Sequence, residues 1–220
     1  MKRKIITTGD GSKTIQIEDW NEQYHSIHGA VQEAYHVFIK HGLSLFKDEP
    51  VSILEIGFGT GLNAIITAIE APKSNLNIDY TGVEAYPVEA EEVAELNYIA
   101  QLNASNFEDV FNKMHNVNWE VKTEISPNFN LLKREQNFLD ITDKEAYNLI
   151  YFDAFGARVQ PELWTENIFG IMHNALQTNG VLVTYAAKGS VRRAMLAVGF
   201  KVERLPGPPG KREMLRATKL

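Results

Sequence analysis

The stretch Val51–Asn63, VSILEIGFGTGLN, decides the fold of this 220-residue chain. An apolar run rich in β-branched residues extends to Ile56 and stops at three glycines spaced two residues apart. These are Gly57, Gly59 and Gly61. A helix-like apolar run follows and ends before Pro72. A strand, a glycine turn and a helix in this order predict the opening βα unit of a parallel sheet, with N–H groups at the helix start that can face an anionic ligand.

The number and spacing of these glycines indicate a ligand. A purely structural turn needs one glycine, whereas three in five residues, preceded by Glu55, indicate that a ligand lies against the main chain. The dinucleotide fingerprint G-x-G-x-x-G is excluded because Leu62 stands where its third glycine belongs. The pattern E-x-G-x-G-x-G instead resembles motif I of the Rossmann-like S-adenosylmethionine (AdoMet) methyltransferases. The cofactor-binding residues that this resemblance implies are Glu55, Gly57, Gly59, Thr60, Gly61 and Asn63.

Length and composition predict one globular unit with decorations. The chain is 44% hydrophobic and 23% charged, has no apolar run long enough for a membrane span, and opens without the apolar core of a signal peptide. We therefore expect a cytoplasmic protein with no membrane partner. Cysteine is absent from the sequence, which excludes disulfides, thiolate metal sites and cysteine nucleophiles, and thereby disfavours methylation at a pyrimidine ring carbon. The six histidines show no metal-ligand spacing, so we predict no metal site.

The charge is unevenly distributed along the chain. Residues 188–220 contain nine Lys/Arg and two Asp/Glu, a net charge of +7, whereas the preceding residues carry −13. A basic end on an acidic body is expected where one face meets nucleic-acid phosphates, although a solvated terminal surface would give the same pattern.

The first part of the chain predicts an extension, 1–45, packed on a main domain, 46–220. Lys4–Ile17 has the pattern of a β-hairpin with a Gly-Asp-Gly turn, and His28–His41 that of an amphipathic helix. Tyr24, His28 and Glu33 lie at or near the start of this helix, where we expect them to pack or to cap it.

Two acidic residues in the middle of the chain are candidate cofactor contacts. Glu84 ends the predicted second strand, where a carboxylate can accept hydrogen bonds from ribose hydroxyls, although a surface acid at a strand end is common. After a predicted helix, Pro87–Gln101, residues 119–132 have the pattern of an inserted hairpin. Phe138–Asp140 would then end the third strand, which would place Asp140 to accept from an adenine amino group or to cap the next turn.

The remaining strands complete an α/β fold. Tyr147–Phe152 predicts the fourth strand, and Asp153 follows it at the carboxyl edge where open parallel sheets place their chemistry. Phe155 can stack on a planar acceptor or pack as a buried loop aromatic. A late hairpin, 200–218, closes the pattern. The predicted fold is a Rossmann-like class I AdoMet methyltransferase sheet with helices on both faces, an N-terminal hairpin-plus-helix extension and an inserted hairpin.

Three further motifs carry a more specific resemblance. ILEIGFGTGLN, FDAF followed by PELW, and VRRAMLAVGFKVERLPGPPGKREML are similar to the methyltransferase domain of the tRNA wobble-uridine enzyme MnmC and to its stand-alone counterpart, the MnmD family. The resemblance implies AdoMet-dependent N-methylation of 5-aminomethyl-2-thiouridine at the tRNA wobble position to 5-methylaminomethyl-2-thiouridine, with S-adenosylhomocysteine as the second product. It implies the anticodon loop of tRNA as partner and Asp153 as the catalytic residue, orienting the acceptor amine or taking its proton. The substrate-binding candidates are Phe155 together with Lys188, Arg192, Arg193, Lys211 and Arg212, the last five toward phosphates.

The sequence departs from the MnmC pattern in two respects. It stops where the bifunctional enzyme continues into a flavin-dependent oxidase, so we predict neither FAD nor oxidase function here, and a separate FAD-dependent oxidase would act upstream. Gly156-Ala157-Arg158 replaces the alanine-proline that follows DAF in that enzyme, which leaves the acceptor contacts open. Two alternatives remain: an AdoMet methyltransferase acting on a small-molecule or protein amine, and a nucleotide-binding module without catalysis.

Overall fold

The computed structural model describes residues 2–220. Its strands are β1 (Arg3–Thr7), β2 (Lys13–Ile17), β3 (Glu22–Gln23), β4 (Pro50–Ile56), β5 (Asn77–Glu84), β6 (Thr123–Ser126), β7 (Phe129–Glu135), β8 (Tyr147–Phe152), β9 (Leu176–Thr184), β10 (Phe200–Pro206) and β11 (Glu213–Lys219). Its α-helices are α1 (Ala30–Ala34), α2 (Leu62–Glu70), α3 (Ala90–Ala94), α4 (Tyr98–Gln101), α5 (Glu108–Asn116), α6 (Glu166–Ala175) and α7 (Gly189–Ala197).

Eight strands form the main sheet in the order β10-β11-β9-β8-β4-β5-β7-β6. The five central strands, β9 to β7 in this order, are parallel, and the pairs at both edges are antiparallel. Within the parallel part of this sheet, β4 is the first strand along the chain. The strands β5 and β7 follow on one side of it, and β8 and β9 then follow on the other side. The strand order therefore reverses between β4 and β8, and the carboxyl ends of these strands border the crevice in which open α/β sheets bind ligands.

Successive side chains along a strand point to opposite faces of the sheet, and this divides the buried core into two clusters. Ile53 and Tyr151 belong to the cluster on one face, while Leu54 and Ile150 belong to the cluster on the other. Both faces are covered by helices, which explains why the central strands read as continuous apolar runs. The predicted α/β sheet with helices on both faces and an N-terminal hairpin is confirmed. The hairpin, β1–β2, joins β3 in a separate three-stranded sheet.

The third strand differs from the prediction. The predicted hairpin forms as β6–β7, but it is not an insertion, because β7 pairs in parallel with β5 and is itself the third strand of the main sheet. Phe138–Asp140 is a 3₁₀ turn rather than the end of that strand. The apolar pattern of β7 is interrupted by Lys133, which is nevertheless only 2% exposed.

Two predicted helices are interrupted. The predicted helix Pro87–Gln101 is divided into α3 and α4, with Asn97 between them. The Asn97 side chain accepts a hydrogen bond from Lys13 N and donates one to Gly11 O, so it is committed to the N-terminal hairpin at this break. The predicted helix His28–His41 starts as α1 and continues as a π-helical segment, Tyr35–Lys40.

Lys133 and His115 form a buried polar pair on one face of the sheet. Lys133 Nζ donates to His115 O at 2.9 Å and lies 4.9 Å from the centre of the Trp119 ring. Burial lowers the pKa of Lys133 to about 8. Burial, and next the charge of Lys133, lower the pKa of His115 to about 4. The His115 ring packs against Gly61 and Phe58 of the glycine loop, so it supports that loop as a neutral imidazole.

We expect His115 to make the protein less stable in acid. Because its pKa is lower in the folded state than in the unfolded chain, the unfolded chain binds the proton first, and stability falls as pH decreases from about 6.5 to about 4. A His115→Gln variant lacks this contribution, so its loss of unfolding free energy across that window should be smaller by up to about 3 kcal/mol. Urea unfolding of both proteins at pH 7, 6, 5 and 4 measures the difference. Parallel pH curves would contradict the assignment.

None of the helices described between residues 2 and 220 combines the length and apolarity that crossing a membrane requires. In the same range there is no cluster of three or more His, Asp or Glu side chains that could hold a metal ion.

Candidate active site

The glycine loop lies at the strand-order reversal, between the ends of β5 and β8. Gly57, Gly59 and Gly61 all have positive φ, at 90°, 50° and 73°, a conformation that glycine adopts without strain. Gly57 N donates to Val83 O at 3.0 Å, which fixes the loop to β5. A Cβ atom at Gly57 would lie 2.9 Å from Asp153 O, so the loop also passes directly against the chain that leaves β8.

Glu84 is tied to the glycine loop from the end of β5. Its Oε2 accepts a hydrogen bond from Gly59 N, and its Oε1 accepts one from Tyr86 N, both at 3.0 Å. The residue is 8% exposed, and this burial raises the pKa of its carboxyl group despite the N–H donors around it. Glu84 therefore presents a largely desolvated carboxyl group to the same cavity that the glycine loop lines.

Asn63 joins two carboxyl groups beneath the loop, that of the buried Glu55 and that of the half-buried Asp153. Its Nδ2 donates to Glu55 Oε1 at 2.8 Å and to Asp153 Oδ2 at 2.9 Å. Burial raises the pKa of both carboxyl groups well above the usual range, and the charge of Asp153 raises that of Glu55 further. Within residues 2–220, Glu55 Oε2 and Asn63 Oδ1 are buried without a hydrogen-bond partner. The Tyr80 hydroxyl is likewise buried without a partner and interacts with Glu55, so Asn63 Oδ1 is the acceptor left for a ligand that donates hydrogen bonds.

The N-terminal extension supplies the opposite wall of the cavity. Trp20, Tyr24 and His25 line it together with the glycine loop, Glu84 and Asp153. The rings of Trp20 and Tyr24 meet the ring of Phe155 edge to face, with centroids 5.6 and 5.0 Å apart. Desolvation at this wall lowers the pKa of His25 to about 4, so its imidazole is neutral near pH 7.

Two arginines fix this wall in place. Arg3 donates to the carbonyl oxygens of Tyr86 and Pro87 at 2.8 and 3.1 Å, on the loop that follows Glu84. Arg158 donates to Trp20 O at 3.0 Å and pairs with Glu22 at 2.6 Å. Local sequence patterns contain no signal for these contacts, because the arginines and their partners lie far apart along the chain.

A second cavity adjoins the first and shares Tyr24 and His25 with it. Its other lining residues include Glu33, Gly156, Tyr185 and Lys211. Lys211 Nζ forms an ion pair with Glu33 Oε2 and lies 3.9 Å from the centre of the Tyr185 ring. Tyr185 OH donates to Ala154 O at 2.8 Å, so this group is attached to the residue next to Asp153.

Most of the predicted site residues share one cavity, and some do not. Those that line it are Glu55, Gly57, Gly59, Asn63, Glu84, Asp153 and Phe155. Gly61 belongs to the loop but not to the lining, and Thr60 Oγ1 is buried against Tyr98 OH at 2.9 Å. Asp140 is exposed on the 3₁₀ turn and outside the lining, where only Phe138 of that turn takes part. Its predicted contact with adenine stays a prediction.

The basic end of the chain is divided between the two edges of the sheet. Strand register places Pro206 and Glu213 at the edge of the sheet where β9 ends. This is the edge that borders the cavities, and we call it the site edge. Phe200 and Lys219 lie at the opposite edge. Lys188, Lys211 and Arg212 line a groove at the site edge together with Arg158. Of these, Lys211 pairs with Glu33 and Arg158 with Glu22. Three further basic residues of the terminal segment also pair with acids and are less free to bind phosphate. These pairs are Arg204–Glu213, Arg216–Glu203 and Lys219–Glu145.

The class of protein follows from this fold, this site and one family comparison. The sequence model of the family described as S-adenosyl-L-methionine-dependent methyltransferase matches residues 94–220, which is more than half of the chain. The chain belongs to this family. A methyl donor bound at the carboxyl edge of the sheet agrees with the glycine loop and the strand-order reversal described above.

Within this class, the chain is similar to MnmC. The tRNA 5-methylaminomethyl-2-thiouridine biosynthesis bifunctional protein MnmC of Leptospira borgpetersenii is 28% identical over 213 residues, covering 89% of this chain and 32% of that protein. MnmC of Aromatoleum aromaticum is 29% identical over 236 residues, covering 97% and 35%. The chain thus spans about a third of the length of these relatives.

A solved structure shows the same fold. The crystal structure of MnmC2 from Aquifex aeolicus matches with a TM-score of 0.82 at 24% identity, covering 98% of this chain and 69% of that chain. Together with the family comparison, these matches confirm the predicted resemblance to the MnmC and MnmD methyltransferases.

Proposed function

We propose that this chain transfers a methyl group from AdoMet to the exocyclic amine of 5-aminomethyl-2-thiouridine at the tRNA wobble position, giving 5-methylaminomethyl-2-thiouridine. The observation that carries this proposal is the position of Asp153, half-buried at the end of β8 against the glycine loop and in one cavity with Phe155. The similarity to MnmC proteins, whose names specify this modified nucleoside, supports the choice of substrate. A cytoplasmic location and a separate FAD-dependent oxidase that prepares the substrate belong to the same proposal.

The polar groups of the cavity fit AdoMet. When bound, this cofactor supplies a methyl group on a sulfonium centre, which is already a strong methyl donor. Asn63 Oδ1, which lacks a partner within residues 2–220, would accept from the ammonium group of its methionine part. The Glu84 carboxyl group would accept from the ribose hydroxyls, as acidic residues at the end of the second strand do in related folds.

Asp153 would act on the acceptor amine. A primary alkylamine resembles a lysine side chain and is mostly protonated near pH 7, whereas only the neutral form has the lone pair that attacks a methyl group. Burial in the cavity favours the neutral amine, while an ionised carboxylate beside it favours the ammonium. The main role of Asp153 is therefore to orient the amine. The raised pKa of its carboxyl group also suits it to receive the proton that the amine loses.

The wobble base is accessible to such a site. It lies in a single-stranded loop, so moving it out of its stack costs less than extrusion from a duplex. Phe155, whose ring meets Trp20 and Tyr24 at the cavity wall, offers a surface on which a planar base can stack.

The direct test is a methylation assay on tRNA carrying the 5-aminomethyl group, with AdoMet, read by nucleoside mass spectrometry. We expect the gain of one methyl on that nucleoside, and no gain on tRNA with an unmodified wobble uridine. Calorimetry with AdoMet in the same preparation is the control. No methyl gain with AdoMet bound would favour the alternative substrate, a small-molecule or protein amine, or a binding module without catalysis.

Removal of basic residues at the site edge should weaken tRNA binding. Arg192 and Arg193 belong to α7, which starts at the site edge, and neither forms an ion pair within the described residues 2–220. For each phosphate that is no longer neutralised, the slope of log K against log salt should fall by about 1. Filter binding of tRNA to Arg192→Ser and Arg193→Ser between low and moderate salt measures this slope.

Lys201→Ser is the matched control for these variants. Lys201 is an exposed base of the same terminal segment, but it lies opposite Thr218, near the far edge of the sheet. We expect its salt slope to equal that of the unmodified protein. Equal effects at Lys201 and at the two arginines would mean that α7 does not face the tRNA.

A further inference from the structure

Lys211 occupies a preformed site for a primary ammonium group. Its Nζ forms an ion pair with Glu33 Oε2 and lies 3.9 Å from the centre of the Tyr185 ring. The Glu33 side chain is 9% exposed, whereas that of Lys211 is 33% exposed. The carboxylate thus belongs to the protein interior, and the cation reaches it from the rim. A carboxylate beside an aromatic face is a favourable environment for an alkylammonium ion.

This ammonium site is next to Asp153. Tyr185 donates its hydroxyl to Ala154 O, one residue after Asp153, and Gly156 lines the same cavity. The charge of Glu33 raises the pKa of Asp153 and that of Lys211 lowers it, so the three groups interact. The cavity that contains the ion pair shares Tyr24 and His25 with the cavity of the glycine loop.

We propose that Glu33 and the Tyr185 ring bind the ammonium group of the methyl acceptor, and that Lys211 occupies this position until the acceptor displaces it. The proposal rests on the proposed function only in taking the acceptor to be a primary amine. Glu33 is then a positioning residue that recognises the charged acceptor next to Asp153. The acceptor gives its proton to the Asp153 carboxylate before methyl transfer, because only the neutral amine has the lone pair that attacks the methyl group. The lysine side chain and the acceptor end in the same chemical group, which explains how one site accommodates both.

Displacement of Lys211 would also change the surface of the site edge. Lys211 lies next to Arg212 on the loop between β10 and β11, and both line the groove at that edge. Once released from Glu33, its ammonium group is available to a phosphate. Binding of the amine would therefore add a positive charge where the nucleic acid is proposed to lie.

The test measures binding of a simple ammonium ion, without methyl transfer. We would titrate n-butylammonium chloride into the purified protein, with n-butanol as the uncharged comparison, and follow binding by protein NMR. Glu33→Gln should weaken binding by about tenfold or more, because the ammonium no longer meets a charged acceptor. Lys211→Met should tighten binding by about threefold or more, because the competing occupant is removed. Butanol should respond to neither substitution.

Glu22→Gln is the matched control, since Glu22 lines the same cavity but pairs with Arg158. We expect it to weaken butylammonium binding far less than Glu33→Gln does, because the charge of Glu22 is already neutralised by Arg158. A purely structural ion pair would make Glu33→Gln and Lys211→Met act in the same direction, so weaker or unchanged binding in Lys211→Met would overturn the proposal. Equal effects of Glu33→Gln and Glu22→Gln would overturn it as well.

The result of the butylammonium experiment can be separated from the result of the tRNA methylation assay. If tRNA is not methylated but butylammonium binding follows the pattern above, the acceptor is a different primary amine and the ammonium site stands. If tRNA is methylated but the two variants fail to differ in sign, the ammonium site is wrong and the proposed function stands.

Discussion

Replacement of Asp153 by asparagine is expected to lower turnover by about 100-fold or more, in the range typical of a positioned acid–base group. The fold should survive, since Asn63 Nδ2, which donates to Asp153 Oδ2 at 2.9 Å, can donate equally to an amide oxygen. AdoMet affinity should stay within about threefold, because a neutral isostere keeps the shape of the cavity wall. Single-turnover methylation and calorimetry with AdoMet measure the two effects separately.

The pH profile of the same variant distinguishes the roles of Asp153. Burial raises the pKa of this carboxyl group, so a rate that needs the ionised form should rise with pH through a value well above that of an ordinary aspartate. This rise of the rate with pH should be absent from the Asp153→Asn variant. Asp109→Asn, an exposed residue of α5, is the control for a change of charge alone. Unchanged turnover in Asp153→Asn would remove this residue from the mechanism.

Replacement of Gly57 by alanine should abolish AdoMet binding and destabilise the fold by about 2 kcal/mol or more. Gly57 has φ +90°, and an added Cβ would lie 2.9 Å from the backbone oxygen of Asp153. Neither the loop nor the end of β8 can yield without moving the Asp153 carboxyl group. Calorimetry with AdoMet and urea unfolding measure the two effects.

Gly170→Ala is the matched control for this substitution. Gly170 lies inside α6, where an added Cβ would come no nearer than 3.9 Å to Val198. It should stabilise the protein by up to about 1 kcal/mol, because alanine is a better helix former than glycine, and leave AdoMet affinity unchanged. If Gly57→Ala bound AdoMet with the same affinity as Gly170→Ala, the role assigned to the glycine loop would be contradicted.

The sequence is sufficient to predict the strands around the crevice, because β4, β5 and β8 are buried on both faces and read as short apolar runs. It is not sufficient for β7. Lys133 breaks the apolar pattern of that strand, and its burial depends on His115 O and the Trp119 ring, which only the folded chain brings to it. The pattern therefore places the end of the third strand at the next apolar segment, Phe138–Asp140, and this prediction is wrong.

The same limit applies to the site. Glu55, Glu84 and Asp153 follow from their positions in or directly after buried strands, since parallel strands bring their carboxyl ends to one edge. The wall made by Trp20, Tyr24 and His25 depends on tertiary contacts of Arg3 and Arg158, which no local pattern encodes. Likewise, the pairing of Glu33 with Lys211 spans most of the chain.

The separation of the N-terminal sheet from the main sheet has a consequence for the cofactor. No strand pairing joins β1–β3 to the eight-stranded sheet within residues 2–220, yet residues that flank β3 and residues of the eight-stranded sheet line one cavity. A molecule bound in this cavity would contact residues next to the N-terminal sheet and residues of the main sheet at the same time, and would link the two sheets. If AdoMet binds in this cavity, its binding free energy also stabilises the docking of the N-terminal sheet, and we expect that sheet to be held less firmly once AdoMet is removed.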